Sequence, residues 1–296
     1  MGLIVENVTK TYGDKKAVDN ISFEINEPGV FALLGTNGAG KTTTIRMMLG
    51  IIKKDSGNIT WNGQTVDRKS VNFGYLPEER GIYPKTRIVD QLLYFAKLKG
   101  MKKAEAEKAI DYWLDRLKMT EYKMQTAEKL SKGNQQKIQF ITSIMHNPDL
   151  VVLDEPFSGL DPVNTDLLKE VILELVQKGK YIVMSSHQMN SVEQFCRDIV
   201  ILNKGKTIVK GNLEKIKETY PITKVEIDTT ADISSKIKEE GLIIKSHNYK
   251  KYIVEFKEES QAVHLLEKLV QEKVKIEKFE LIRPTLHEIF VEKVGE

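Results

Sequence analysis

The first 50 residues contain two different patterns of hydrophobic positions. Apolar residues alternate or cluster at 3–8 and 21–25, on either side of a turn at 12–14, which predicts short antiparallel strands. Residues 30–34 are then a continuous apolar run of strand length, and a glycine-rich turn joins this run to a helix predicted at 42–49. The pattern therefore predicts a strand, a loop and a helix in succession.

The middle of the chain has a helical pattern and then returns to strands. Residues 88–147 are rich in Leu, Lys, Glu, Ala and Met, with apolar residues at helical spacing. Buried strands are predicted at 150–153 and 181–184, and a helical stretch at 165–177 separates them. Because a crossover helix between two strands gives a parallel pair, this segment predicts an open α/β sheet.

The last part of the chain changes pattern again. A hairpin is predicted around Asn203-Lys204-Gly205, and a helical stretch after Gly211 leads to Pro221, where we place a domain boundary. Beyond it, strands and helices are mixed: strands at 223–228, 242–246, 251–256 and 274–282, and helices at 232–240, 260–272 and 285–294. The sequence therefore predicts an α/β domain over residues 1–220 and a small α+β domain over residues 221–296.

Composition excludes several classes of protein. At about 100–200 residues per domain, a chain of 296 residues predicts about two domains. Lys and Arg number 45 against 42 Asp and Glu, and the net charge of +3 is too small to indicate nucleic-acid binding. The single cysteine, Cys196, excludes an internal disulfide framework and a cysteine-rich zinc site, and it agrees with a reducing compartment. Apolar runs such as 199–202 are far shorter than the roughly 20 residues of a transmembrane helix.

The glycine-rich turn carries the most specific motif in the chain. It matches G-x-x-x-x-G-K-[ST] in full and stands between a predicted strand and a predicted helix, as a phosphate-binding loop requires. Its residues are Gly35, Thr36, Asn37, Gly38, Ala39, Gly40, Lys41 and Thr42, followed by Thr43. In such a loop, backbone N–H groups bind phosphate oxygens, Lys41 reaches the β- and γ-phosphates, and the Thr42 hydroxyl binds Mg²⁺. The alternative is an ordinary glycine-rich turn.

Two acidic residues follow the buried strand at 150–153. Asp154 stands where a nucleotide site on an open α/β sheet needs a carboxylate for Mg²⁺, and Glu155 beside it is suited to polarise the attacking water. His187 follows the next predicted strand and is suited to orient the γ-phosphate. Taken singly, the acids also fit a solvated strand end and the histidine a structural role, so the prediction depends on their combination with the phosphate loop.

With these motifs in order, residues 1 to about 220 resemble the ATP-binding subunit of ABC transporters. Leu130-Ser131-Lys132-Gly133-Asn134-Gln135 stands where that family has its signature L-S-G-G-Q. Lys132 replaces a Gly and Asn134 replaces the Gln, whereas Ser131 and Gly133, which in the family contact the γ-phosphate of the opposite subunit, are retained. The resemblance implies a phosphate-loop NTPase core of RecA-like type, with an antiparallel β subdomain and a helical signature subdomain at about 88–147.

Further positions match the family pattern. The resemblance implies that Tyr12 stacks on adenine, that residues 158–161 form the D-loop with Asp161, and that His187 is the switch histidine. Glu78 occupies the position where the family usually has a Q-loop glutamine, so a carboxylate replaces an amide near Mg²⁺. Oxygen is the ligand type that Mg²⁺ prefers, and Glu78 is therefore a candidate metal ligand with Thr42 and Asp154.

The resemblance also implies partners. Each family member carries the phosphate loop for one ATP and offers its signature to the other, so we expect a homodimer or a paired ATPase subunit enclosing two ATP and Mg²⁺. We expect a transmembrane permease subunit docked near Glu78 and the helical block, no nucleic acid, and a cytoplasmic protein that is peripheral on the inner face of the membrane. Contact with the membrane is expected only through the permease.

Accessory segments resemble one group within the family. The run 74–84, the signature variant and the C-terminal segment around 285–290 resemble bacterial exporter ATPases of the sodium-extrusion and antibiotic-export group. Two alternatives stay open: a soluble ABC ATPase acting on nucleic acid or ribosomes, and a nucleotide-dependent regulator. The single cassette argues against the first alternative. The second is opposed by the retention of Lys41, Asp154, Glu155 and His187.

Overall fold

The computed structural model describes residues 2–66, 71–79 and 81–295, without the side chains of Asn190 and Ser191. Arg80, which lies in the accessory run 74–84, is outside the described residues. The chain divides into two compact units, Met1–Asn212 and Leu213–Glu296. The helix Leu213–Glu218, which the sequence analysis assigned to the first domain, therefore groups with the second unit.

The first unit alternates strands and helices after an antiparallel start. Its elements in chain order are β1 (Leu3–Tyr12), β2 (Lys15–Ile25), β3 (Gly29–Leu34), α1 (Lys41–Met48), β4 (Ser56–Trp61), β5 (Gln64–Thr65), β6 (Phe73–Leu76), α2 (Ile88–Leu98), α3 (Lys103–Arg116), α4 (Lys132–Ile144), β7 (Leu150–Asp154), α5 (Pro162–Gln177), β8 (Tyr181–Ser186), α6 (Met189–Glu193), β9 (Asp198–Asn203) and β10 (Lys206–Asn212). The helical block, the hairpin β9–β10 and the parallel strands agree with the predictions, whereas β4, β5 and β6 are additional.

The strands of the first unit form two sheets. The smaller sheet has the order β2-β1-β4-β5 and is antiparallel. The larger has the order β10-β9-β3-β8-β7-β6, in which every pair except β10–β9 is parallel. Because the carboxyl ends of parallel strands meet at one edge, the segments that follow β3, β6, β7 and β8 come together there.

The core explains why the two sheets stay together. One buried cluster contains Leu3 and Val5 of β1, Leu33 of β3, Val152 of β7 and the apolar side of α1, including Ile45. The antiparallel sheet and α1 therefore share a hydrophobic core with the parallel sheet. Burying this apolar surface fixes the residues that follow β3 against those that follow β7.

The signature segment forms the beginning of helix α4. Ser131 is the N-cap of α4, and its hydroxyl oxygen accepts a hydrogen bond from Asn134 N at 3.2 Å. Lys132, Gly133 and Asn134 consequently form the first turn of α4. Serine is a favoured N-cap because its short side chain satisfies a backbone donor that the helix leaves free.

The second unit has the predicted mixture of helices and strands. Its elements are α7 (Leu213–Glu218), β11 (Lys224–Thr229), α8 (Ser234–Glu239), β12 (Ile243–Asn248), β13 (Lys251–Glu255), α9 (Glu259–Gln271), β14 (Ile276–Ile282) and α10 (Leu286–Gly295). The strands form an antiparallel sheet of order β12-β13-β11-β14. From β11 to β14 the chain order is βαββαβ, and with this strand order it is a split βαβ, or ferredoxin-like, arrangement. Its core contains Val225, Tyr252 and Leu265.

Candidate active site

The loop between β3 and α1 has a backbone that only glycine adopts easily at three positions, one of which is Gly38 with φ +78°. Gly35 has φ +145° and Gly40 has φ +107°, both outside the range that other residues favour. A Cβ atom on Gly35 would lie 2.4 Å from the Leu202 carbonyl oxygen, and one on Gly40 would lie 2.6 Å from that of Ala17. The loop is therefore folded tightly against neighbouring backbone, with α1 starting directly after it.

The ammonium group of Lys41 lies inside this loop. Lys41 is 6% exposed, and its Nζ donates hydrogen bonds to the carbonyl oxygens of Gly35 at 2.8 Å and Thr36 at 3.3 Å. The same nitrogen lies 3.7 Å from Oε1 of Glu155. A buried cation next to a helix N-terminus is an environment suited to the negative charge of phosphate.

Most of the predicted nucleotide-binding residues line one cavity of about 440 Å³. Its lining residues are Tyr12, Lys15, Ala17, Asn37, Gly38, Gly40, Lys41, Thr42, Thr43, Glu78 and Glu155. The ring of Tyr12 is half exposed at the edge of this cavity, and Lys10 Nζ lies 5.4 Å from the ring centroid. A larger groove of about 590 Å³ along β1, β2 and β9 contains none of the predicted site residues.

Asp154 is held at one oxygen and free at the other. It is completely buried, and Ser185 Oγ donates a hydrogen bond to Oδ1, whereas Oδ2 has no hydrogen-bond partner within the part of the chain that the structure describes. An unpaired buried carboxylate oxygen is costly unless a cation or water satisfies it, so this donor fits Mg²⁺.

The protein supplies few ligands for such an ion. No group of three or more His, Cys, Asp or Glu residues able to hold a metal occurs among residues 2–66, 71–79 and 81–295. Mg²⁺ commonly takes only one or two carboxylates and completes its shell with water and substrate phosphates. Thr42 and Glu78 line the cavity and Asp154 does not, but all three offer oxygen, which is the donor type that Mg²⁺ prefers.

Glu155 is oriented by strained backbone and by a histidine. Its φ of +52° lies in the left-handed region, which costs a non-glycine residue on the order of 1–3 kcal/mol. Glu155 N donates to the Ser185 carbonyl at 3.3 Å and to Ser185 Oγ at 3.1 Å, which stabilise this conformation. Its Oε1 lies 2.8 Å from Nδ1 of His187, and Ser186 Oγ donates to Oε2 at 3.5 Å.

The signature residues lie away from the cavity, next to the segment 158–161. Ser131 and Lys132 are exposed, and a Cβ atom on Gly133 would lie 3.3 Å from the Leu160 side chain. Asp161 is the N-cap of α5 and accepts a hydrogen bond from Asn164 N at 2.9 Å. This hydrogen bond lowers the pKa of the Asp161 carboxyl below its usual value. Within one chain, the signature therefore does not face the chain's own phosphate loop cavity.

Several residues at the site were not predicted from the sequence. Ser185 and Ser186 contact the two carboxylates, and Lys15 lines the cavity. The signal for the serines was their position directly before His187, at the end of a strand beside β7. A hydroxyl at the end of a neighbouring parallel strand is within reach of the carboxylates that follow β7.

Comparisons with known proteins identify the same two parts of the chain. A family model described as ABC transporter matches residues 18–158, and one described as the C-terminal domain of DrrA1-3-like ATP-binding proteins matches residues 211–294. The uncharacterized ABC transporter ATP-binding protein YhaQ of Bacillus subtilis (strain 168) is 47% identical, over 99% of this chain and 98% of that protein.

Two further similarities concern a resistance protein and a solved structure. The linearmycin resistance ATP-binding protein LnrL of Bacillus subtilis (strain 168) is 35% identical, over 71% of this chain and 68% of its own length. A solved structure of an ATP-binding subunit of an ABC transporter superposes with a TM-score of 0.68 at 29% identity, over 74% of this chain and 93% of that one. Extended similarity of this kind, added to the phosphate loop and the acids beside it, shows that the chain belongs to the ATP-binding proteins of ABC transporters, which are ATPases coupled to transport.

Proposed function

We propose that this protein binds ATP with Mg²⁺ at the 440 Å³ cavity and hydrolyses it in a head-to-tail pair to drive export through a separate permease subunit. The observation that carries this proposal is the convergence of the phosphate loop, Tyr12, Glu78 and Glu155 on one cavity. Family members pair with each other and with a transmembrane permease; the arrangement of this chain in such an assembly is our proposal.

Binding depends on groups that already point into or border the cavity. The loop from Gly35 to Thr43 surrounds the phosphates with backbone N–H groups, and Lys41 neutralises the β- and γ-phosphate oxygens. The exposed ring of Tyr12 stacks on adenine. Thr42, Asp154 and Glu78 hold Mg²⁺, which neutralises charge that develops on the phosphate oxygens during hydrolysis.

Hydrolysis requires a group that accepts a proton from water. Glu155 is this group: its carboxylate is buried, lines the cavity and is oriented by His187. His187 also orients the γ-phosphate. Lys41, 3.7 Å from the same carboxylate, keeps the negative charge of Glu155 compatible with a neighbouring phosphate.

Pairing follows from the position of the signature. Ser131, Lys132, Gly133 and Asn134 are exposed or half-buried at the start of α4 and lie away from their own cavity. We place them against the γ-phosphate held by a second subunit, with Asp161 at the same interface. ATP then stabilises the closed pair, and hydrolysis with product release favours the open one, which drives the permease.

Export is the direction that the similarities support. LnrL is named as a linearmycin resistance protein, and resistance provided by the ATP-binding subunit of a transporter is most simply explained by removal of the compound from the cell. The C-terminal match to DrrA1-3-like proteins extends the similarity to the second unit. We propose efflux of an antibiotic-like or peptide compound, or of sodium ions.

An exposed aromatic patch is the proposed docking site for the permease. It consists of Tyr83, Tyr94, Phe95 and Leu98, whose three rings have centroid separations between 5.6 and 6.3 Å. Tyr83 and Tyr94 are half exposed and Leu98 is 64% exposed. The patch begins five residues after Glu78 in the chain, in the region where the family resemblance implies that a permease docks.

Capture of the partner from native membranes tests the proposal. Tagged Glu155→Gln protein with ATP and Mg²⁺ is added to detergent-solubilised membranes of the native host, and bound proteins are identified by mass spectrometry. We expect one polytopic membrane protein, lost when Lys41 is also changed to Ala. Leu98→Glu is expected to abolish capture, whereas Leu173→Glu, at an exposed leucine of α5, is the matched control and retains it.

The other outcomes assign the function elsewhere. Capture of ribosomes or nucleic-acid proteins without a membrane protein contradicts the transport proposal and supports the soluble alternative. Absence of ATP binding to the native protein contradicts the catalytic proposal. Among the described residues, no helix is long and apolar enough to span a bilayer.

A further inference from the structure

Three of the buried polar side chains of helix α4 donate to backbone carbonyl groups outside the helix. Gln136 Nε2 donates to the Pro156 carbonyl at 3.1 Å, directly after Glu155, and Lys137 Nζ donates to the Leu117 carbonyl at 3.2 Å. Gln139, which is 5% exposed, is the third. Buried polar groups usually have hydrogen-bond partners. Here the partners of one helix, which begins at the signature, lie in three separate loops.

Gln139 binds the backbone on both sides of Glu78. Its Nε2 donates to the Pro77 carbonyl at 3.3 Å and to the Glu79 carbonyl at 3.0 Å. A side-chain amide nitrogen carries two hydrogens, so it serves both carbonyl groups at once. Within the described part of the chain, the Glu78 side chain itself makes no hydrogen bond or ion pair, and the loop position is therefore set through its backbone.

Burying the Gln139 amide has a cost in stability, which good packing of the side chain does not explain. Gln139 Oε1 is buried and has no hydrogen-bond partner among the described residues. An unsatisfied buried amide oxygen destabilises a protein, and methionine fills a similar volume without this cost. Gln139 is favoured at this position by the two hydrogen bonds that its nitrogen donates.

We propose that Gln139 is a positioning residue for Glu78: by fixing the carbonyl groups of Pro77 and Glu79, it holds the Glu78 carboxylate at the phosphate loop cavity in a geometry that binds Mg²⁺. This inference rests on the proposed ATP site. Since Gln139 lies on the helix that starts at the signature, movement of α4 on pairing is transmitted directly to the Glu78 loop.

A double-mutant cycle separates positioning from stability. Full-length protein in a Glu155→Gln background, which prevents hydrolysis, is titrated with ATP at increasing Mg²⁺, and the half-saturating Mg²⁺ concentration is measured by calorimetry. Gln139→Met is expected to raise this concentration about 10-fold, as removal of groups that orient metal ligands does. In a Glu78→Ala background, Gln139→Met is expected to change it less than about twofold, because coupled residues lose their effects together.

Gln136→Met is the matched control. It makes the same substitution in the same helix but removes a hydrogen bond to Pro156, so its effect is expected to be equal with and without Glu78. Should Gln139→Met fail to fold by circular dichroism, Gln139→Asn keeps the amide and is too short to reach both carbonyl groups.

Each outcome bears on one proposal. Equal effects of Gln139→Met in both backgrounds overturn the positioning role and leave the ATP site intact. The positioning role is also overturned if Glu78→Ala leaves the half-saturating Mg²⁺ concentration unchanged. ATP binding that is absent, or unchanged by Lys41→Ala, contradicts the proposed function instead.

Discussion

Nδ1 of His187 and Oε1 of Glu155 lie 2.8 Å apart, although 32 residues separate them in the chain. The Glu155 side chain is 7% exposed and that of His187 is 44% exposed. A buried carboxylate is therefore joined to a histidine that reaches the solvent-exposed side of the site. The Lys41 ammonium lies 3.7 Å from the same oxygen, so the Glu155 carboxylate contacts both the histidine ring and the buried cation of the loop.

Glu155→Gln is expected to reduce the turnover number by roughly 10²- to 10⁴-fold, the contribution of general base catalysis. Glutamine keeps the size of the side chain but does not accept the proton from water, so ATP binding persists and ATP-bound pairs accumulate. Phosphate release and size-exclusion chromatography with ATP measure both effects. Glu79→Gln, at an exposed acid that does not line the cavity, is the control; unchanged turnover in Glu155→Gln contradicts the assignment.

Ser185→Ala is expected to weaken Mg²⁺ binding by about 10-fold, because the serine fixes Asp154 Oδ1 and leaves Oδ2 available for the ion. The measurement is the half-saturating Mg²⁺ concentration for ATP binding. Ser186→Ala is the comparison: Ser186 contacts Glu155, so its loss should lower turnover with little change in Mg²⁺ dependence. Identical effects of both variants would argue that the serines act only through stability.

Gly40→Ala is expected to weaken ATP binding more than Gly38→Ala. Both residues have positive φ, which costs an alanine about 1–2 kcal/mol. Only Gly40 has backbone in the way, with the Ala17 carbonyl oxygen 2.6 Å from the added Cβ, whereas nothing lies within 4 Å at Gly38. Urea denaturation and ATP titration of both variants test the difference, and equal losses contradict the role of close packing.

His146 is expected to make the first unit less stable in mild acid. Burial, together with the nearby charge of Lys99, lowers the pKa of His146 to about 4, from an unfolded value near 6.5. The unfolded chain therefore binds a proton in the window from pH 6.5 to 4 that the folded protein does not, and stability falls as the pH falls through it.

Between pH 7.5 and 5, His146 is expected to lower the free energy of unfolding by about 1–2 kcal/mol. This figure is discounted from the value that the pKa difference alone gives, because the residue is partly exposed. His146→Gln keeps a donor for the Phe73 carbonyl, which His146 Nε2 contacts at 3.1 Å, but does not titrate. Urea denaturation of both proteins at several pH values gives the difference. Parallel pH profiles would contradict this origin of the acid sensitivity.

In the second unit, the sequence pattern predicted the helices and strands but not their arrangement. Its helices and strands were predicted within a few residues, because alternation and helical spacing are local properties. The strand order β12-β13-β11-β14 was not, since it depends on which strands share the core around Val225 and Tyr252. The short strands β4, β5 and β6 were missed as well; β6 has only four residues, too few for a reliable period.

The sequence by itself determined which residues form the phosphate loop and that Asp154 and Glu155 are the acids of the site. The loop conformation needs glycines at fixed positions between a strand and a helix. Because this is a local requirement, it can be recognised from a short stretch of sequence. The family resemblance depended on the same residues. What only the tertiary structure decided is the meeting of Asp154 with Ser185, of Glu155 with His187 and of Gln139 with the Glu78 loop. These contacts join parts of the chain that are about 30 or more residues apart. The first two exist because β7 and β8 are parallel neighbours whose carboxyl ends lie at one edge of the sheet, and the third exists because α4 lies against β6.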